Sequence, residues 1–346
     1  MQDFLSNREK EVLRYIVENF IKSAIPVGSR EVSKQSDLNL SSATIRNVMS
    51  DLEDKDLLKT PHTSAGRLPT DKGYRFYVNT LMNKDNLNKA EVNFIKNQLE
   101  ESKLSVMDNE DLFIETSRIL GKISHQLAVV TQPFLSSGVF EKLELINISS
   151  NKILVVLNIK SGYVRTVIME IDTEITRNKL DKLSGFLNEK LSGLTLKEIR
   201  ETFSERICDY NNEDPELIQL FINSIDKIYS DEEKGGKVYV GGTGEIILQP
   251  EFDDPKNFKS IIELAENKNL VVHIFQTSYK NPKEVSITIG SENTEKKLKD
   301  YSVISTDYKF GEIKGNIGII GPKRMNYSKI ISLIEYTSKL ISEIYT

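Results

Sequence analysis

The stretch Leu38–Arg75, LNLSSATIRNVMSDLEDKDLLKTPHTSAGRLPTDKGYR, constrains this chain more than any other. Its first half carries the apolar period of a helix. Its second half, KTPHTSAGRLPT, has two short arms around a small-residue tip, Ser64-Ala65-Gly66, where Gly66 is free to take a positive φ. A helix that runs straight into a tight two-stranded ribbon leaves few folds open.

The residues before it narrow the choice further. Val12, Leu13, Ile16, Val17, Phe20 and Ile21 recur on one face of a helix over about Asn7–Ser23, which Pro26 and Gly28 end. Ser29 opens a short second helix with Glu31 in its first turn, and Asp37 and Asn39 mark a turn. Ser41 or Ser42 then caps a third helix, whose stripe is Ile45, Val48, Met49 and Leu52. Helix, short helix, polar turn and helix, followed by a ribbon, predict a winged helix-turn-helix.

The outward face of the third helix suits a DNA groove. At about 100° per residue, Ala43, Asn47 and Ser50 oppose the apolar stripe, with Thr44 and Arg46 on its flanks. Small residues let the helix approach base edges. Arg46 can donate a bidentate pair to guanine and Asn47 to adenine. Ser41 and Ser42 lie at the helix start, where phosphates bind. In the ribbon, His62, Thr63 and Arg67 sit where a wing would touch phosphate or a minor groove, and Lys72 and Arg75 add cations at the next helix, Asp71–Met82. A plain solvated face is the competing reading, but the missing Lys and Glu on its N-terminal half favour contact.

Charge fits a specific reader. The net charge of the 346 residues is −5, yet residues 1–80 hold 12 Lys+Arg against 11 Asp+Glu. A near-neutral end on an acidic body implies placed cations and not a general basic coat. A single cysteine, Cys208, excludes an intramolecular disulfide and a cysteine-based zinc cluster. The polar start and the lack of a long apolar run predict a cytoplasmic protein with no membrane span.

Beyond the connector at 83–90, a helix is expected over Glu110–Gln126, then three strands of an antiparallel meander at 140–149, 151–159 and 163–171. Helical stripes follow: Leu180, Leu183, Phe186, Leu187 and Leu191, then Leu217, Leu220, Phe221, Ile225 and Ile228. VYVGGTGEIIL reads as strand, turn and strand, Lys256–Asn267 as a helix, and Leu270–Gln276 as a strand. Strands at 285–290, 301–306 and 315–320 and a final helix over Tyr327–Tyr345 complete the chain. Strands, a helical block and strands again imply an insertion within an α+β domain.

Catalytic and metal chemistry find little support. Gly241-Gly242-Thr243-Gly244 lacks the GK[ST] ending of a phosphate loop, and a tight hairpin turn fits it better. His62, His125 and His273 are scattered without metal-ligand spacing, Cys208 has no His nearby in sequence, and the acidic turns at Asp231–Glu233 and Asp253-Asp254 read as solvated. Lys323 and Arg324 read as exposed at the entry of the last helix, with an acidic partner surface as the alternative. No enzyme activity, cofactor or metal is expected.

PVGSREVSKQ, SSATIRNVMSDLE, PHTSAGRLPTDKGYRFYV, GGTGEIILQPEF, IGSEN and GIIGPKRMNYSKIISLIEY resemble, in order, blocks of the heat-inducible transcription repressor HrcA family. The resemblance runs from about Leu5 to Tyr345 and departs at Asp56, where many members carry Gly just before the Leu pair. It implies an α+β multidomain fold: an N-terminal winged helix-turn-helix over 1–84, a GAF-like α+β domain in two parts (91–172 and 271–346), and a mainly helical dimerising domain inserted over 173–270. It further implies a homodimer on the CIRCE inverted repeat of double-stranded DNA, upstream of the groE and dnaK operons, modulated by the GroEL chaperonin. Two other readings stay open: a winged-helix repressor whose GAF-like domain senses a small molecule, and a module whose winged helix binds protein.

Overall fold

The computed structural model describes residues 5–35, 40–61, 66–104, 109–171, 175–207, 215–224, 228–229, 237–277 and 285–344. Cys208, Ile225, the acidic turn 231–233, and the ribbon-tip residues His62 and Thr63 lie outside them.

The first three helices are α1 (Asn7–Ser23), α2 (Ser29–Gln35) and α3 (Ser42–Asp54), and serines cap the starts of α1 and α3. Ser6 and Glu9 form a reciprocal capping box on α1, and the Ser41 hydroxyl accepts from the Thr44 amide to start α3. Val12, Leu13, Ile16 and Val17 meet Ile45, Val48, Met49 and Leu52 in a common buried core. The end of α3 is a Schellman turn. The Leu57 amide donates to Leu52 O and the Asp56 amide to Glu53 O, with Asp56 left-handed at φ 59°. An L side chain is strained there. Asp56→Gly is therefore expected to stabilise the protein by about 0.5–1 kcal/mol. The lost contact with Lys72 costs little because both side chains are well exposed. A melting midpoint that fails to rise would refute this.

Strands β1 (Leu58–Lys59) and β2 (Leu68–Pro69) then form an antiparallel ribbon, and Val27 bridges Arg67 on its far side through two hydrogen bonds of 2.9 Å. Space is what Gly66 supplies, because a Cβ there would lie 2.6 Å from the Pro26 carbonyl oxygen. Helix α4 (Asp71–Phe76) continues into a π-turn over Tyr77–Leu81, which ends this N-terminal head.

The connector is not slack. Ser328 accepts from the Asp85 amide and donates to Asn83 O, Ser332 donates to Asp85 O, and Lys84 pairs with Glu335, so residues 83–85 lie along the last helix. Helix α5 (Lys89–Leu104) follows, buried through Ile95 and Leu99.

The body is a five-stranded antiparallel sheet in the order β7-β3-β10-β9-β8, formed by β3 (Leu127–Thr131), β7 (Val238–Gly241), β8 (Ser286–Ile289), β9 (Tyr301–Phe310) and β10 (Ile313–Pro322). Residues alternate between its faces. Ala128, Val130, Ile304, Ile317 and Ile319 share a core with Phe113 of α6 (Asn109–Ser124) and Leu333 and Ile334 of the last helix. Leu127, Val129, Val303 and Ile320 instead cluster with Ile261, Leu264, Val271 and Phe275.

Three expectations are corrected here. Leu270–Gln276 is not a strand but part of a helix, Lys268–Thr277, because its buried Val271, Ile274 and Phe275 recur at a period near 3.6. GGTGEII does not turn into a second strand. Gly242 at φ 80° leads into a one-turn helix, α10 (Thr243–Ile246), and packs backbone to backbone against α6. The meander β4 (Phe140–Ser149), β5 (Lys152–Ile159) and β6 (Val164–Glu170) forms as expected but pairs with none of the body strands. It belongs with α7 (Arg177–Leu191), whose Asn188 side chain exchanges two hydrogen bonds with the Leu143 backbone. An edge at 172/173 therefore separates strands from the helix that covers them, while β7 falls back into the body sheet. Helices α8 (Leu196–Arg206) and α9 (Pro215–Asn223) complete this middle segment, and the body adds α11 (Pro255–Glu266), α12 (Lys268–Thr277) and α13 (Tyr327–Ile344).

Candidate nucleic-acid interface

Helix α3 presents the face that its sequence predicts. Ser41, Ala43, Arg46, Asn47 and Ser50 are exposed, Ser42 and Thr44 are half-buried, and Ile45, Val48 and Met49 point into the core. Among the described residues nothing pairs with Arg46 or Asn47, so their donors face outward. The first turn contains no acidic residue, which leaves the positive end of the helix dipole open to an anion. The two serines are already engaged. Ser41 caps the helix and meets the Thr44 hydroxyl at 2.9 Å, while Ser42 meets Ser29 of α2 at 3.1 Å. Ser41 thus first starts α3 and Ser42 first fixes the approach of α2 to it, and any phosphate contact would share their hydroxyls. Asp51 is exposed further along, so the N-terminal half of α3 is the half suited to a polyanion.

Arg67 departs from the expected picture of a free backbone grip. Its Nε lies 2.9 Å from Glu53 Oε2, with the side chain mostly covered. Glu53, in the last turn of α3, also accepts from the Thr60 amide at 3.1 Å and the Thr60 hydroxyl at 2.7 Å. One carboxylate thereby ties α3 to both arms of the ribbon. The Thr60 hydroxyl chiefly, with Arg67, holds the Glu53 carboxyl below the ordinary carboxylate range. The stabilisation this gives is present above that range and is lost as pH falls through the lowered value. Nothing in the local sequence signals this pairing, because Glu53 and Arg67 are 14 positions apart and meet only when the ribbon folds back.

Arg75, Lys323 and Arg324 are likewise not surface cations. Arg75 turns to Glu292, Lys323 to Asp71 at 2.9 Å, and Arg324 to Glu251 at 2.5 Å. The exposed reading of the 323–324 pair is corrected on this geometry. His125 is exposed in a left-handed turn at φ 54°, and His273 lies 3.6 Å from Glu295. No group of three or more His, Cys, Asp or Glu among the described residues is placed to hold a metal ion. No helix of the described residues is long and apolar enough to cross a membrane.

Comparison with known proteins gives the chain's family. The family described as "HrcA protein C terminal domain" matches residues 110–331. The chain is 40% identical over 344 residues to the heat-inducible transcription repressor HrcA of Chlorobium phaeobacteroides (strain BS1), covering 98% of this chain and 97% of that protein. It is also 40% identical over 346 residues to the HrcA of Chlorobaculum tepidum, with the same coverage. A crystal structure described as a hypothetical protein shares the fold, with a TM-score of 0.62 at 23% identity over 99% of both chains. Kinship of this extent defines the class, that of the transcription repressors. The chain belongs to the HrcA family.

Proposed function

We propose that the chain is a sequence-specific DNA-binding repressor of class I heat-shock operons, which binds the CIRCE inverted repeat upstream of groE and dnaK as a homodimer under modulation by GroEL. In this reading residues 1–84 are a winged helix, α3 enters the major groove, and the ribbon lies on the adjoining backbone. The observation that carries it is the outward face of α3, where Arg46 and Asn47 stand without partners among the described residues, beside small Ala43 and Ser50. Such a face admits base edges, and the Glu53 clasp holds the ribbon at a fixed angle beside it. The body sheet with its covering helices is the GAF-like domain. The segment between β3 and β7, which includes β4–β6 and α7–α9, is the insertion. The protein works in the cytoplasm.

An inverted repeat demands a two-fold protein. The open face of the β4–β6 sheet suits a second copy. Ile146, Leu154 and Ile168 lie side by side across its three strands, with Ile146 46% and Ile168 51% exposed, and Ile148 and Val164 add to the same apolar surface. Ile168→Asp is expected to convert a dimer to a folded monomer in sedimentation. A dimer of unchanged strength would remove this face from the interface.

The function is tested by mobility shift. Purified protein should retard an inverted-repeat duplex and leave a scrambled duplex of equal length free, and added GroEL should raise the fraction bound. Equal retardation of both duplexes would sink the reading.

A further inference from the structure

Four sequence blocks that the reading face does not use, PTDKGYR, QPEF, IGSEN and GPKRMNYS, converge on the junction between the head and the body. Asp71, at the first turn of α4, accepts the Ser291 amide at 2.8 Å and the Lys323 ammonium at 2.9 Å. One turn later Arg75 donates from Nε to Glu292 at 2.8 Å and from a terminal nitrogen to the Ile287 carbonyl at 2.7 Å. One face of α4 thus grips the turn that follows β8.

A second grip lies at the far end of α1. The Arg324 guanidinium, whose side chain is 11% exposed, donates to the Ile21 carbonyl at 2.6 Å and to both oxygens of Glu251 at 2.5 and 3.0 Å. Buried Tyr74 and Tyr327 fill the space between the grips, their rings 6.0 Å apart. Tyr327 is in turn held by Ser302 and the Lys323 carbonyl. Gly290, at φ 55°, is needed for this fit, since a Cβ there would lie 2.2 Å from an Asp71 carboxylate oxygen. Buried aromatic contact framed by charge-assisted bonds at two separated points resists both rotation and sliding.

We infer that this junction is a rigid joint that fixes the orientation of the head on the body, and that Asp71 and Arg324 are positioning residues which decide the half-site spacing the dimer accepts. The inference rests on the DNA reading proposed above for the head. Neither residue lies on the reading face, so a lone head should recognise its half-site without them. What they supply is the angle and separation of two heads.

The test uses the full-length dimer with a series of inverted repeats whose spacers differ by one, two and about five base pairs, the last being half a helical turn. Wild-type protein should lose about tenfold or more in affinity at the two-base-pair change. Asp71→Ala and Arg324→Gln should reduce that discrimination to about threefold or less, while binding to a duplex with a single half-site stays within about twofold. Asp71→Asn, which can still accept the Ser291 amide, should fall between Asp71→Ala and wild type. Hydrogen exchange without DNA gives an independent readout. Amides of residues 285–293 and 18–24 should exchange about tenfold faster in the Asp71→Ala and Arg324→Gln proteins, respectively. Unchanged exchange, or wild-type spacing discrimination in both variants, would overturn the joint. A wild-type protein that binds no repeat but shows the expected exchange change would instead overturn the DNA reading and the spacing role, with the joint upheld.

Discussion

Arg46→Ala is expected to weaken operator binding by about 1–3 kcal/mol, a factor of roughly 5 to 150, and to relax the preference at one base pair. The loss should be concentrated at one position because a guanidinium facing outward from the first half of α3 can make a bidentate contact to a single guanine edge. Asn47→Ala should show the same pattern at an adenine. Neither change should lower the melting temperature, since among the described residues neither side chain has a partner to lose. Arg67→Ala should behave differently. Its guanidinium closes the clasp on Glu53, so its removal should depress affinity for every sequence and also loosen the ribbon. Binding titrations against a set of single-base operator variants, read beside thermal melts, separate the cases. Uniform loss from Arg46→Ala, or unchanged binding in both helix variants, would remove α3 from the base-reading role.

The largest effect on stability should come from Gly242→Ala. The residue sits at φ 80°, and a Cβ there would be 2.0 Å from the Gln126 carbonyl oxygen and 2.7 Å from the Gly121 Cα. Left-handed strain and a backbone clash together should cost about 3–5 kcal/mol. Two positions along, Gly244 has open space at its Cβ and lies in a helical turn, so Gly244→Ala should be neutral or slightly stabilising. The contrast within one GGTG motif is diagnostic. A phosphate-binding loop would need the backbone freedom of Gly244 as well, whereas the packing seen here needs only Gly241 and Gly242, which both lie against α6. Thermal denaturation of the two variants checks this, and a mild Gly242→Ala would mean that α6 and β7 can move apart without cost.

Local patterns were easy to read in this chain. The bounds of α1, the start of α3 and its buried stripe follow from apolar spacing and from serines able to cap. They depend on residues three or four positions apart. Contacts made across long separations were not legible in the same way. The pairs Arg67 and Glu53, Asp71 and Lys323, and Arg75 and Glu292 are not legible locally, because a charge in a sequence does not name its partner: Arg67 reads as a DNA contact, Lys323 as exposed and Arg75 as a plain helix cation. Sheet membership was hidden for the same reason. The strands 140–171 alternate as any antiparallel meander would, and only their hydrogen bonds and the Asn188 clamp from α7 reveal that they stand apart from β8–β10. The Leu270–Gln276 error was of another kind. There burial at i, i+3 and i+4 from Val271 sets a helix against the β preference of the residues.

The pinning of residues 83–85 along α13 has a consequence for how an acidic protein can hold a polyanion. A head on a loose tether would have to give up orientational freedom each time it met its half-site, and the second head of a pair would do so again. With the tether laid down through Ser328 and Ser332, that freedom is already lost in the unbound molecule. In the dimer proposed above, the local concentration of the second head at its half-site would then be set by geometry and not by chain statistics. Such a dimer would behave as a calliper set to one opening. It would need few cations to close on the right duplex, and at a wrong spacing it would gain from one jaw only.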